Sequence, residues 1–172
     1  GAEAHRVEGP SWFACYTRAR HEKRVTRMLE ERGFETYLPL VERESQWADR
    51  RRLVTLPLFP SYVFSRFALY DAHRVLGVPG VATLVKSNGR PAPIAEEELA
   101  NVRLFVEGLK KAGLQPERRP YLAEGDWVEV MDGALKGVRG VVMRSEGRRR
   151  VVIGLQAVSR GEPIKNPESW ML

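Results

Sequence analysis

The side chains best suited to catalysis in this chain are three histidines and one cysteine, namely His5, His21, His73 and Cys15. None of them has the spacing of a metal-binding motif such as HExxH, and neither GxxxxGK[ST] nor GxGxxG occurs to cradle a phosphate. Cys15 alternates with strand-forming residues, which favours burial over a nucleophilic role. A single cysteine cannot form an internal disulfide or a cysteine-based metal cluster. The sequence therefore predicts a protein that is not an enzyme, with no cofactor and no metal.

Arginine side chains offer a second kind of chemistry, the binding of phosphate. Arg20, Arg24 and Arg27 fall at i, i+4 and i+7, which predicts that they share one helix face. That face is turned away from the apolar stripe of Val25, Met28 and Leu29. Residues 50–52 are three consecutive arginines. The net charge is +6, and residues 1–120 carry most of it, with 20 basic and 15 acidic residues. A positive surface of this kind suits contact with a phosphate backbone, although an ordinary solvated surface is an equally open interpretation.

Aromatic side chains are concentrated in the stretch PLFPSYVFSRF, residues 57–67, which holds three of the six phenylalanines. Its second proline lacks a backbone donor, so the strand proper should begin after it. Tyr62 and Phe64 then point to one side of a sheet, and Val63 and Phe67 point to the other. Neither side is polar, which predicts an inner strand with both faces covered.

The elements that would position these residues follow the order β-α-β-β-β-α-β-α. Helices are predicted at 18–34, 69–77 and 95–113, with a charged hairpin at 42–54 and a turn at 88–89. This order indicates an α+β fold, in which an N-terminal antiparallel sheet has helices packed on it.

The domain organisation can also be predicted. The chain has 172 residues, 43% of them hydrophobic and 29% charged, which is typical of a folded protein of one or two domains. Residues 1–10 are expected to be a disordered tail, and residues 112–120, with two prolines, a linker. Residues 121–172 alternate valines with closely spaced glycine turns, which indicates a small C-terminal β-barrel. No uncharged apolar run approaches the length of a membrane span.

Two resemblances follow from these patterns. The C-terminal part resembles the KOW motif, which occurs in ribosomal proteins and in NusG-type transcription factors. The residues that carry this likeness are Gly125-Asp126, Val128, Val130, Gly133, Leu135, Gly137 and Gly140-Val141-Val142. The N-terminal part, residues 11–111, is similar to the NusG N-terminal (NGN) domain through three blocks. These blocks are WFACYTRARHEKRVTRMLEERGFETYLPL, PLFPSYVFSRF and GRPAPIAEEEL.

The resemblance implies a bacterial, cytoplasmic and monomeric transcription elongation factor with no membrane partner. The segments YTRARHEKRV, PLFPSYVF and VSRGEPIKNPESWML look more like the specialised antitermination paralogues, such as the RfaH and UpxY types, than the housekeeping factor. Such a factor binds RNA polymerase through the NGN domain and reduces pausing, while the KOW domain recruits either ribosomal protein NusE or Rho. The alternative is a ribosome- or RNA-binding KOW protein that acts in translation.

Family resemblance also implies the sites. In the family a hydrophobic hollow with exposed aromatic rings receives the tip of the clamp helices of the polymerase β′ subunit. The matching positions are Trp12, Phe13, Tyr16, Phe59, Pro60 and Tyr62. Contact with the backbone of non-template or upstream DNA is implied for Arg18, Arg20, Arg24, Arg27, Arg50, Arg51 and Arg52. Contact with the gate loop of the β subunit is implied for Asp71, His73 and Arg74.

This chain departs from the RfaH pattern at several positions. Met28 stands at the position of a histidine that reads DNA sequence, and Pro79 at that of an arginine, so RfaH-like sequence reading is not predicted. The gate-loop positions do not reproduce the His-Thr-Thr pattern, and His73 could instead be half-buried in packing. Residues 148–150 are a basic run that is either a hairpin tip touching RNA or protein, or a solvated turn.

Overall fold

The computed structural model of this chain describes residues 9–47, 50–120, 127–145, 148–153 and 168–171. Within these ranges the α-helices are Glu22–Glu31 (α1), Ala72–Leu76 (α2) and Glu96–Ala112 (α3), with a 3-10 turn at Leu69–Asp71. The strands of the N-terminal part are Ser11–Thr17 (β1), Glu35–Tyr37 (β2), Leu40–Trp47 (β3), Arg50–Pro57 (β4), Tyr62–Phe67 (β5), Val81–Leu84 (β6), Lys86–Ser87 (β7) and Arg90–Pro91 (β8). Those of the C-terminal part are Glu117–Pro120 (β9), Trp127–Glu129 (β10), Arg139–Ser145 (β11), Arg148–Ile153 (β12) and Glu168–Met171 (β13).

The first sheet has the strand order β2-β5-β1-β6, and its β1–β5, β1–β6 and β2–β5 pairs are antiparallel. Alternation along β5 sends Tyr62 and Phe64 to one side and Val63 and Phe67 to the other, as predicted. The first side packs in one hydrophobic cluster with the buried apolar residues of α3, which are Leu99, Val102, Phe105, Val106 and Leu109. The second side packs with buried residues of α1 and α2. Helices on an antiparallel sheet confirm the predicted α+β class.

Helix α1 begins later than its sequence pattern indicates. It starts at Glu22, whereas the arginine spacing predicted a helix from residue 18. Arg20 precedes it with a φ of 66°, in the left-handed region that a helix cannot contain. The prediction that Arg20 shares a helix face with Arg24 and Arg27 is therefore wrong, and Arg20 belongs to the turn before the helix.

Two hairpins extend from the first sheet. β3 and β4 form a two-stranded sheet of their own, in which Leu40 pairs with Pro57 and Trp47 with Arg50. β7 and β8 are joined by Asn88-Gly89, and both turn residues have positive φ (53° and 76°). Asn-Gly suits such a turn because it tolerates left-handed backbone, so the predicted turn is confirmed.

The C-terminal part is a five-stranded sheet with the order β10-β11-β12-β13-β9. Its strand content was predicted, but no pairing among the described residues closes it into the expected barrel. The predicted linker is also partly wrong, because residues 117–120 form β9 and pair with β13. Helix α3 ends at Ala112 and is capped by Gly113 with a φ of 64°. The predicted tail falls almost wholly on residues 1–8, outside the described ranges.

A contact joins α3 to the start of β11. The Asn101 amide nitrogen donates to the carbonyl of Arg139 at 2.7 Å, and its oxygen accepts the Arg139 backbone N–H at 2.6 Å. About two helical turns further along α3, Gly108 is buried against Leu135 and Ala134. Val138 and Ile153 belong to the same hydrophobic cluster as α3 and the first sheet. The C-terminal part therefore shares a core with the N-terminal part.

Candidate functional site

Four of the six predicted polymerase-binding residues lie in one hydrophobic cluster on the α3 side of the first sheet. They are Trp12, Tyr16, Phe59 and Tyr62, called here the aromatic group. Trp12 and Tyr62 are 5% exposed and Phe59 is 2% exposed, so the expectation of exposed rings is wrong for these three. Their burial follows from the shared cluster, in which α3 and C-terminal residues pack beside them. Tyr16 and Pro60 remain partly exposed.

Phe13 does not belong with the aromatic group. It follows Trp12 in β1, and successive side chains of a strand point to opposite faces. Phe13 accordingly lies in the cluster beneath α1, with its ring centroid 4.9 Å from that of Phe67. At 1% exposure it is a core residue, and its place among the predicted hollow residues is corrected.

Ring contacts fix the geometry of the aromatic group. The centroids of Tyr16 and Tyr62 are 5.5 Å apart with planes tilted by 58°, and Phe59 meets Phe64 edge-on at 5.9 Å. Aromatic pairs favour such tilted and edge-to-face arrangements. Burial, with a smaller contribution from the neighbouring Tyr16, raises the pKa of Tyr62 to about 12. Tyr62 therefore stays neutral and keeps a hydroxyl that can donate a hydrogen bond.

Arg103 of α3 is a site neighbour that the sequence patterns did not single out. Its guanidinium carbon lies 5.9 Å from the Trp12 ring centroid and 4.6 Å from that of Tyr37. Burial raises the pKa of Tyr37 to about 12; Arg103 opposes that shift and Glu107 adds to it. The guanidinium interacts with both ring faces as a cation–π partner, placing a fixed positive charge beside the aromatic group.

The stretch that leads into β5 is held by a buried carboxylate. Glu22 is only 7% exposed, and its Oε1 accepts the backbone N–H of Arg20 at 3.0 Å and that of Ser61 at 3.3 Å. Ser61 has a φ of 68°, and its carbonyl accepts the backbone N–H of Thr17 at 2.8 Å. This arrangement was not predicted, because Glu22 and Ser61 are far apart in the sequence and each looks ordinary alone.

A cleft of about 230 Å³ adjoins this carboxylate. Its walls come from the turn before α1, the base of the β3–β4 hairpin and the stretch leading into β5. The lining residues are Ala19, Arg20, Glu22, Arg43, Leu56, Pro57, Pro60 and Ser61. The apolar residues Leu56, Pro57 and Pro60 line this cleft together with Arg20, from the turn before α1, and Arg43, from β3.

The predicted phosphate-binding arginines of the N-terminal part are all exposed, and they fall into two groups. Arg18 and Arg20 lie in the turn before α1, while Arg24 and Arg27 lie on the helix. The second group, residues 50–52, opens β4, the returning strand of the hairpin. Arg20 of the first group lines the cleft together with Arg43 of β3.

Arg50, Arg51 and Arg52 do not share one face of the hairpin. Alternation puts Arg50 and Arg52 on the face of β4 that carries Leu56, which lines the cleft beside Arg20. Arg51 lies on the opposite face, with Leu53. That face borders a groove of about 280 Å³ against the C-terminal end of α3, with Glu42 and Glu44 in its lining. The cleft on the Arg50 and Arg52 face is lined by two arginines and one carboxylate, Glu22, whereas the groove on the Arg51 face is lined by two carboxylates and Lys110. The first face therefore adjoins the more positive of the two surfaces.

The predicted gate-loop residues lie at α2 and are held by local contacts. Arg74 Nη1 is 3.4 Å from Asp71 Oδ1, and Arg74 Nη2 donates to the carbonyl of Arg32 at 3.2 Å. The same guanidinium stacks 4.8 Å above the Phe34 ring. His73 is exposed, with Nδ1 3.0 Å from the Tyr70 carbonyl, so the half-buried alternative for His73 is wrong.

The other residues considered for chemistry take structural places. Cys15 is fully buried in the cluster beneath α1, and burial raises its pKa to about 12. The arginines at 148–150, predicted to lie at a hairpin tip or in a solvated turn, are part of strand β12, and His5 lies outside the described ranges. Among described residues no group of three or more His, Cys, Asp or Glu side chains could hold a metal ion. No helix in the described ranges is long and apolar enough to cross a membrane.

Comparison with known proteins places the chain among transcription factors. Over 94% of both sequences it is 22% identical to "Transcription termination/antitermination protein NusG" of Buchnera aphidicola subsp. Acyrthosiphon pisum (strain APS). Similar solved structures include "Domain interaction in Thermotoga maritima NusG", which is 21% identical. That alignment covers 92% of this chain and 93% of the other, with a TM-score of 0.49.

A second solved structure is "Crystal Structure of MjSpt4:Spt5 complex conformation A". It is 21% identical, with coverage of 94% of this chain and 91% of the other and a TM-score of 0.30. Residues 10–103 match the family described as "NusG: Transcription termination factor nusG". Because that match spans more than half of the chain, this protein belongs to the NusG family of transcription factors, which are not enzymes.

Proposed function

We propose that this chain is a cytoplasmic elongation and antitermination factor of the specialised RfaH or UpxY type. It binds RNA polymerase through an NGN domain at residues 11–111 and reduces pausing. The observation that carries the proposal is the aromatic group, which gathers four family-predicted binding residues on one side of the first sheet. Its partly exposed member Tyr16 packs against Tyr62 with tilted ring planes and offers the accessible part of the surface.

The proposed partner of this surface is the tip of the β′ clamp helices. Aromatic side chains supply large contact areas at low conformational cost, and the neighbouring Arg103 adds a fixed positive charge. A second contact, between the β gate loop and Asp71, His73 and Arg74, would let the protein bridge the DNA channel. A factor bound in this way needs only higher affinity for the closed, active polymerase to shift the enzyme towards that state.

Tyr16→Ala tests the polymerase contact. We expect its dissociation constant for a β′ clamp-helix fragment, measured by calorimetry on the full chain, to rise about tenfold or more, because truncated aromatic anchors commonly cost over about 1.4 kcal/mol. Tyr70→Ala is the matched control, since Tyr70 is 74% exposed and outside the aromatic group. Equal affinities for the two variants, or no binding by the wild type, would contradict the proposal. The latter would turn attention to the ribosome- or RNA-binding alternative.

The arginines of the turn before α1, of α1 and of one hairpin face are proposed to contact the backbone of non-template or upstream DNA. This proposal is supported by their exposure and by the charge difference between the hairpin faces. Contacts of this kind position a protein on DNA without reading its sequence. On this proposal Arg52, on the face next to Arg20 and Arg43, contacts DNA. Arg51, on the face next to Glu42 and Glu44, does not.

Arg52→Gln should therefore weaken DNA binding more than Arg51→Gln. Each lost phosphate contact lowers the slope of log affinity against log salt by about 1, so we expect that decrease for Arg52→Gln and almost none for Arg51→Gln. The measurement is a fluorescence-anisotropy titration of forked DNA at several salt concentrations. The two variants remove the same charge from neighbouring positions, so equal slopes would contradict the assignment of the DNA-facing side.

The C-terminal part is proposed to be a KOW domain at residues 121–172 that recruits either NusE or Rho. The antiparallel sheet β10-β11-β12-β13-β9 and the left-handed Gly133 and Gly137 are compatible with this motif. A monomer with two binding parts would connect polymerase to a second machine. Residues 113–116 would then be what remains of the connecting segment, since Ala112 ends α3 and residues 117–120 form β9.

A further inference from the structure

Glu22 joins the two surfaces that the proposed function assigns to different partners. Its carboxylate oxygen Oε1 receives the N–H of Arg20, in the basic turn, and the N–H of Ser61, next to Pro60 and Tyr62. Hydrogen bonds to a charged acceptor are stronger than those between neutral groups. Because Glu22 is only 7% exposed, water competes little with the two N–H groups for its carboxylate. One carboxylate thus connects the start of α1 with the start of β5.

Both residues that donate to Glu22 have unfavourable backbone conformations. Arg20 and Ser61 have φ values of 66° and 68°, and among described residues Asn88 is the only other non-glycine with positive φ. Left-handed backbone is costly for a residue with a Cβ unless the surroundings hold it there. The third case lies in a hairpin turn, where Asn is favoured. The other two left-handed residues, Arg20 and Ser61, have a common hydrogen-bond acceptor, the Glu22 carboxylate.

The position of Ser61 matters for the aromatic group. Its carbonyl accepts the Thr17 N–H at 2.8 Å, and the next residue along the chain is Tyr62, whose ring packs on Tyr16 of β1. Arg20 in turn lines the cleft with Pro57 and Pro60. A displacement of either left-handed residue would therefore move an arginine and an aromatic side chain relative to each other.

We propose that Glu22 is a positioning residue that holds the basic turn and the aromatic group in one fixed arrangement, so that both partners can be bound together. This inference rests on the proposed function, because it concerns the same two surfaces. Glu22 touches neither partner and acts only through the backbone of Arg20 and Ser61. The effect of Glu22 on binding should be separable from its effect on the stability of the fold, and a second substitution can test this.

The experiment compares the wild type with Glu22→Ala, Glu22→Gln and the double variant Glu22→Ala/Ser61→Gly. Glycine accepts positive φ without strain, so the double variant restores stability without restoring the bonds to the carboxylate. Glutamine keeps an oxygen that can accept both N–H groups. Glu31→Ala, on the same helix but exposed, controls for the loss of one negative charge. The readouts are amide hydrogen exchange at residues 20 and 61, the unfolding temperature, and calorimetry with the β′ clamp-helix fragment.

We expect Glu22→Ala to speed exchange of both amides and to weaken fragment binding about tenfold, as the loss of two bonds to a charged acceptor implies. The double variant should regain the unfolding temperature but not the affinity, and Glu22→Gln should stay within about threefold of the wild type. Regained affinity in the double variant, or unchanged exchange in Glu22→Ala, would overturn the inference. If the wild type binds and Glu22→Ala binds equally, only the inference fails. A wild type that does not bind refutes the proposed function itself.

Discussion

Phe59→Ala is expected to lower the free energy of unfolding by about 3–5 kcal/mol, the usual cost of truncating a buried phenylalanine. Phe59 is 2% exposed and packs edge-on against Phe64, which is fully buried in the centre of the first sheet. Alanine would leave a cavity between the stretch leading into β5 and the α3 side of the sheet. Urea unfolding of the full chain measures the loss, and the midpoint should fall while the slope of the transition stays unchanged.

The matched control for Phe59→Ala is Leu53→Ala, on the β3–β4 hairpin. Leu53 is 65% exposed, so its truncation should change the unfolding free energy by no more than about 0.5 kcal/mol. Phe59→Leu should lie between the two, because leucine fills part of the space. If Phe59→Ala were as mild as Leu53→Ala, the ring would be exposed in solution, as the family resemblance had implied. In that case Phe59→Ala would be a better variant than Tyr16→Ala for testing polymerase binding.

Local patterns predicted much of this fold. The two-sided apolar run of β5 predicted an inner strand, and β5 lies between β2 and β1 with helices over both faces. The Asn88-Gly89 pair predicted a turn that exists. Helix α3 has Glu96, Glu97 and Glu98 in its first turn and Lys110 and Lys111 in its last, a charge order that suits the helix dipole. These features depend on neighbouring residues alone, through backbone preference and the period of the side chains.

Features that depend on distant residues were not predicted. The burial of Phe59 follows from a cluster that includes Val138 and Ile153, which lie far along the chain. Arg20 fits the spacing of a helix face, yet its backbone is left-handed because it belongs to the turn bonded to Glu22. Of the predicted hollow residues, Trp12, Tyr16, Phe59 and Tyr62 lie in one cluster and Phe13 lies in the other, and the expected exposure is wrong for the rings of Trp12, Phe59 and Tyr62. Spacing shows which residues share a face, but not what packs over that face.

Gly108→Ala provides the strongest test of how the C-terminal part packs on α3. Alanine at a helix interior normally gains about 1 kcal/mol over glycine. Here a Cβ on residue 108 would lie 2.5 Å from Leu135 Cδ2 and 2.7 Å from the carbonyl oxygen of Ala134. The leucine methyl can rotate away, but the carbonyl belongs to the backbone and cannot move alone. Overpacking of this kind costs about 1–3 kcal/mol, so the net change should be destabilising despite the better helix propensity.

The measurement for Gly108→Ala is urea unfolding together with amide exchange at Arg139, whose N–H is bound by Asn101. Exchange there should speed up, because the turn before β11 must shift away from the helix. Adding Leu135→Ala should recover only part of the loss, since the Ala134 carbonyl remains in place, and Asn101→Ala should speed the same exchange without adding volume. A stabilised Gly108→Ala variant with unchanged exchange at Arg139 would mean that helix propensity wins. The turn would then not pack closely on α3 in solution, and the two parts of the chain would not share the core described above.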